Sequence, residues 1–106
     1  MHFISAQDTK ENFDQKKISL IDIREPYERD ICLIKGSTHI PMCEVEKLKQ
    51  VVKNTKNGTV FICKSGKRAE ATANLIEKEL KIDTIHILEG GMIAWIEKID
   101  QTLENY

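Results

Sequence analysis

Short apolar runs alternate with amphipathic stretches along the whole chain, and this alternation limits its folds more than any other feature. The apolar runs are Phe3-Ile4, Ile18–Ile23, Thr38–Ile40, Thr59–Cys63 and Thr84–Leu88, each of strand length. Ile18–Ile23 is apolar almost throughout, as expected of a strand covered on both faces. Between the runs, Val45, Leu48 and Val52 fall on one helical stripe, Ala69, Ala73, Ile76 and Leu80 on another, and Met92, Ile96, Ile99 and Leu103 on a third. Asp8 with Glu11 reads as a capping box opening a first helix that runs to about Lys16. Pro26 suits the first turn of a short helix, and Asn57-Gly58 suits a turn. Strand and helix in repeated succession predict an α/β fold: a mainly parallel five-stranded sheet with helices on both faces. With 106 residues and no repeat, linker or low-complexity tract, the expectation is a single domain over 1–106.

Composition narrows the function. The formal net charge is −1, so no overall field favours nucleic acid or a membrane surface, and anion chemistry must be local. No apolar stretch approaches the roughly 18 residues of a membrane span, and the N-terminal residues do not read as a signal peptide. The cysteines are Cys32, Cys43 and Cys63: an odd number, without CxxC or zinc-ligand spacing. The expectation is a reduced thiol protein of the cytoplasm, a monomer, with no metal and no cofactor.

Cys63 ends an apolar run and is followed by Lys64-Ser65-Gly66-Lys67-Arg68 and then a helical stripe. In parallel α/β sheets, sites form beyond the carboxyl ends of strands, which is where this cysteine falls. A chain that leaves a strand and enters a helix within about five residues must curl tightly, turning successive N–H groups inward, and Gly66 supplies the conformational freedom. With the helix N-terminus, those amides form a cup for an anion, with Cys63 on its floor. A free cysteine is only a few per cent thiolate at neutral pH. Making the anion dominant takes about 2.7 kcal/mol. A helix terminus contributes ~0.3–1 kcal/mol and each charge-assisted N–H bond ~1.5–3 kcal/mol. Two or three donors suffice, before Lys64, Lys67 and Arg68 are counted. The plainer alternative is a buried cysteine acting as a small hydrophobe. Gly66 and three cations within five residues favour a nucleophile.

Taken together, four segments resemble the rhodanese-like domain family. They are Ile21-Asp22-Ile23-Arg24-Glu25-Pro26-Tyr27-Glu28, Gly36-Ser37-Thr38-His39-Ile40-Pro41, Cys63-Lys64-Ser65-Gly66-Lys67-Arg68 and Leu88-Glu89-Gly90-Gly91-Met92-Ile93-Ala94-Trp95. Where many members carry Gly-His-Ile-Pro, this chain has Cys32-Leu33-Ile34-Lys35. The resemblance implies a sulfurtransferase: Cys63 takes sulfur from a donor such as thiosulfate, holds it as a persulfide and passes it to cyanide, a thiol or a protein acceptor. It implies that the amides of Lys64 to Arg68 hold the persulfide and the leaving sulfite. Cys63 and Arg68 enclose four residues, one fewer than the C-x5-R loop of cysteine phosphatases, which argues against phosphate ester chemistry. A non-catalytic binding or regulatory module on the same fold, and a thiol redox sensor, are the competing readings.

The remaining residues receive supporting roles. Asp22 ends a buried strand and needs a cationic partner, which Arg68 or Arg24 can supply. The expectation is that Asp22 braces Arg68 and so orients the loop, with a structural ion pair as the equal alternative. His39 reads as a satisfied core histidine. Gly90-Gly91 should let the last strand turn close against the loop, with Trp95 packed beneath. Cys32 and Cys43 read as inert thiols.

Overall fold

The structure, a computed structural model, describes residues 1–106. Five strands and five helices alternate in chain order: β1 (His2–Ile4), α1 (Ala6–Asp14), β2 (Ile18–Asp22), α2 (Pro26–Ile31), β3 (Thr38–His39), α3 (Val45–Asn54), β4 (Gly58–Ile62), α4 (Lys67–Leu80), β5 (Ile85–Leu88) and α5 (Gly91–Lys98). All strand pairs are parallel, in the order β1-β5-β4-β2-β3. The α/β expectation therefore holds, with a sheet that is wholly parallel. No helix is long and apolar enough to cross a membrane.

Side chains alternate across the sheet with the period of two that a strand imposes. Ile21, Phe61, Ile85 and Ile87 face Leu48 and Val52 of α3 and Ala69, Ala73 and Ile76 of α4. On the other face, Leu20, Val60, Ile62 and Leu88 meet Ala6 of α1 and Met92, Trp95 and Ile96 of α5. Burying one such Phe, Ile or Leu side chain contributes about 1.5–3 kcal/mol. β4 lies in the middle of the sheet, and its residues Thr59 to Ile62 are all buried. The loop after β4 is thus anchored by the most enclosed strand.

Several boundaries differ from those expected. The N-cap of α1 is Ser5, whose hydroxyl accepts from the Asp8 N–H at 3.1 Å; Asp8 lies inside the first turn. Ser5 follows β1 directly, so its short side chain reaches the third amide of the helix where a cap should be. β2 ends at Asp22 and β4 at Ile62, each one residue earlier than expected, which leaves Cys63 just past the strand. α5 ends at Lys98, and Leu103 lies beyond it, still packed against the second core cluster.

Candidate active site

The loop from Cys63 to Arg68 is held from two sides. Gly66 is the N-cap of α4, with φ +103°, a conformation that a residue with a side chain adopts only under strain. From the opposite face of the sheet, the N-terminus of α5 takes hold of the loop: Met92 N–H donates to the Cys63 carbonyl at 2.9 Å and Ile93 N–H to the Lys64 carbonyl at 3.1 Å. Peptides are planar, and none here is cis, so each carbonyl points opposite to the N–H in its own unit. Pulling the Cys63 and Lys64 carbonyls towards α5 therefore turns the Lys64 and Ser65 amides away from it, to the side where Cys63 packs. This contact demands glycine at 91, where a Cβ would lie 2.4 Å from the Cys63 oxygen and 2.5 Å from the Lys64 oxygen. Gly90-Gly91 closes against the loop as expected, and Trp95 is buried in the α5 core behind it.

Two amides reach the sulfur. Gly66 N–H donates to Cys63 Sγ at 3.0 Å and Ala69 N–H at 3.4 Å. Ala69 lies one residue beyond the cup expected from the sequence. It contributes because the first amides of α4 have no partners within the helix. Cys63 is 0% exposed, and the two surface cavities lie elsewhere, one beside Trp95 and Leu103 and the other beside His2 and His86. The floor of the cup is covered, while Ser65 and Lys67 on its rim are exposed and Lys64 and Arg68 are half-buried.

The supporting residues are arranged differently from the expectation. Asp22 does not brace Arg68; its carboxylate is taken by Arg24 and Arg29. Arg24 donates to it through Nη2 at 2.8 Å, through Nε at 2.9 Å and through its own backbone N–H at 3.1 Å, and Arg29 Nη1 lies at 3.2 Å. The stretch between Asp22 and Arg24 is tight enough that neighbouring residues satisfy each other. Arg24 is 0% exposed and also donates to the Cys32 carbonyl at 2.6 Å, so the departure at Cys32-Leu33-Ile34-Lys35 still supplies its acceptor. Burial opposes the Arg24 charge, and its bonds to Asp22 and Tyr106 more than offset this, holding the guanidinium above its ordinary range. His39 Nε2 bonds the Arg24 carbonyl at 2.8 Å, the satisfied histidine that the sequence suggests.

Arg68 pairs instead with Glu28. Its Nη1 and Nη2 donate to the two carboxylate oxygens at 2.7 and 2.8 Å, a bidentate contact between the start of α4 and the first turn of α2. Glu28 is almost fully buried and also accepts from the Glu25 N–H at 3.2 Å and from the Tyr106 hydroxyl at 2.7 Å. The Arg68 bond lowers the Glu28 pKa to about 2, against burial, with help from Tyr106. Sequence reasoning missed Glu28, Arg29 and Tyr106. Glu28 leaves a faint signal, three residues after Glu25 with Pro26 between them, which is the spacing of a capping box. Nothing in the sequence links Tyr106 to this site.

Sheet and loop together define an α/β fold in which a buried central strand delivers a thiol to two backbone amides at the head of a helix. Within that class the chain belongs to the rhodanese-like domain family, whose sequence profile matches residues 5–98. It is 30% identical to the adenylyltransferase and sulfurtransferase MOCS3 of Danio rerio over 97% of this chain and 27% of that protein. It is 32% identical to the probable adenylyltransferase/sulfurtransferase MoeZ of Mycobacterium tuberculosis over 86% of this chain and 23% of that protein. The chain thus spans about a quarter of the length of these curated relatives. Among solved structures it resembles a rhodanese-related protein of Thermoplasma volcanium, with TM-score 0.79 and 29% identity over 93% of this chain and 94% of that one. The human single-domain sulfurtransferase TSTD1 shares the fold, with TM-score 0.74 and 22% identity over 92% and 97% of the two chains.

Proposed function

We propose that this protein is a sulfurtransferase that carries sulfane sulfur as a persulfide on Cys63. The Cys63 thiolate attacks the outer sulfur of a donor such as thiosulfate. The donor's S–S bond breaks, sulfite leaves with its electron pair, and a new S–S bond joins that sulfur to Cys63. A nucleophile such as cyanide, a thiol or a protein thiolate then attacks the outer sulfur, and the bonding pair returns to Cys63. The cycle is ping-pong and needs no oxidant or reductant. In this reading the amides of the loop, Lys64 to Arg68 and Ala69 beyond it, hold the persulfide and the departing sulfite. Lys64 and Lys67 draw in the anionic donor. Arg68, bound through both carboxylate oxygens of Glu28, fixes the head of α4 and so the cup. Asp22 and Arg24 lock the β2 end beside it.

The observation that carries this reading is the pair of N–H donors on Cys63 Sγ, at 3.0 and 3.4 Å. Two of the relatives matched over most of this chain are named as sulfurtransferases in combination with an adenylyltransferase, and we assign this chain to the sulfur-transferring part. Steady-state kinetics with thiosulfate and cyanide tests the activity. Parallel double-reciprocal lines are expected, with turnover abolished in Cys63→Ala. Intersecting lines, or turnover kept in Cys63→Ala, would contradict it.

A further inference from the structure

Beyond α5 the chain folds back towards the loop. Thr102 N–H caps onto Asp100 Oδ1 at 3.1 Å, Leu103 packs on the α5 core, and Tyr106 arrives at the β2 and β4 ends. Its hydroxyl accepts from Arg24 Nη1 at 2.8 Å and donates to Glu28 Oε2 at 2.7 Å. Asp22, Arg24, Tyr106, Glu28 and Arg68 therefore form one unbroken hydrogen-bonded chain from the end of β2 to the active loop. Burial and the Glu28 bond outweigh the Arg24 contact and push the Tyr106 phenol up to about 12, so the hydroxyl stays a donor at neutral pH. The ring has a second role. Lys64 Nζ sits over it, 4.7 Å from the centroid, at cation–π distance. Lys64 is the residue after Cys63, and its flexible four-carbon stem would otherwise sample many positions. It has no ion-pair partner; of the two carboxylates in the hydrogen-bonded chain, Glu28 is engaged by Arg68 and Asp22 by Arg24 and Arg29.

We propose that Tyr106 is a positioning residue for anionic substrates: its ring holds the Lys64 ammonium at the mouth of the Cys63 cup. This rests on the sulfur-transfer reading for the identity of the anion, and on the Lys64–Tyr106 contact for everything else. The ammonium is presented uncompensated, so a donor carrying negative charge meets a fixed cation on its way to the sulfur. The hydroxyl bonds two residues that are themselves locked, and Tyr106 also packs against the α5 core, which keeps the ring there without the hydroxyl.

The test is the ratio of alkylation rates at Cys63 by iodoacetate, an anion, and iodoacetamide, its neutral counterpart, read on the Cys63 peptide by mass spectrometry so that exposed Cys43 does not interfere. Ordinary structural damage changes both rates, whereas loss of a directed cation changes the ratio. Tyr106→Leu and Lys64→Met should each lower the ratio roughly two- to five-fold. The double variant should fall no further than either single one, and Tyr106→Phe should keep the wild-type ratio. Should Tyr106→Leu fail to fold, Lys64→Met and Tyr106→Trp, which keeps a ring, still decide the matter. An unchanged ratio in Lys64→Met, additive losses in the double variant, a lowered ratio in the ring-keeping variants, or no labelling of Cys63 by either reagent would overturn the proposal. A wild-type protein that takes no sulfur from any donor but shows the expected ratios would refute sulfur transfer and leave this role for Tyr106 standing.

Discussion

Arg68 carries the charge most readily assigned to substrate binding, yet both of its terminal nitrogens are committed to Glu28. Removing one partner of a largely buried pair leaves the other uncompensated, so Glu28→Gln should destabilise the protein by roughly 2–3 kcal/mol at neutral pH, reduced from the fully buried case because Arg68 is one-third exposed. The pair also has a pH signature. The carboxyl group sits at about 2 in the folded protein against an ordinary 4.5. Its contribution is therefore complete above about pH 4.5 and is lost as pH falls towards 2. Denaturant titrations across that window should show wild-type stability falling while Glu28→Gln loses less over the same range. Parallel curves would exclude the pair as the source. This partnership was not legible in the sequence, because Glu28 and Arg68 lie 40 residues apart and each also has oppositely charged neighbours closer in sequence. The cysteine loop was legible for the converse reason: Cys63, Gly66 and the amides between them are contiguous, and the curl they need follows from local geometry. Asp22 shows the limit of that reasoning. Its need for a cation followed from burial, but which arginine would answer depended on a tertiary arrangement that the sequence does not display.

Between elements, the decisive contact is the N-terminus of α5 against the backbone of the cysteine loop. Gly91 has φ +58°, and any side chain there would press on the Cys63 and Lys64 carbonyls. Gly91→Ala should cost roughly 2–5 kcal/mol, combining left-handed strain with the displaced loop, and should slow sulfur uptake at Cys63 even at temperatures where the variant stays folded. Thermal denaturation and single-turnover labelling would measure both, and normal uptake in the folded variant would separate α5 from the geometry of the cup. The strands and helices themselves could be read from hydrophobic periodicity, since each buries a face with the period of its own geometry. Their ends could not. β3 extends over only Thr38 and His39 because these alone pair with Ile21 and Asp22, and that register belongs to the partner strand.

Across the molecule, the order β1-β5-β4-β2-β3 brings the carboxyl ends of β2, β4 and β5 together, so Asp22, Cys63 and the Gly90-Gly91 turn meet although they are distant in sequence. Alternation alone predicted a parallel sheet but not this order, which depends on pairings between distant segments. The same assembly covers the sulfur completely, so the proposed transfer requires that a donor reach a thiol that is 0% exposed in this fold. Trapping the carried sulfur tests this most directly. The protein is incubated with thiosulfate or a small-molecule persulfide, the excess is removed, and the intact protein and its peptides are weighed. The Cys63 peptide should gain one sulfur atom, discharged by cyanide and absent in Cys63→Ala. No gain with any donor, or sulfur found only on exposed Cys43, would contradict it.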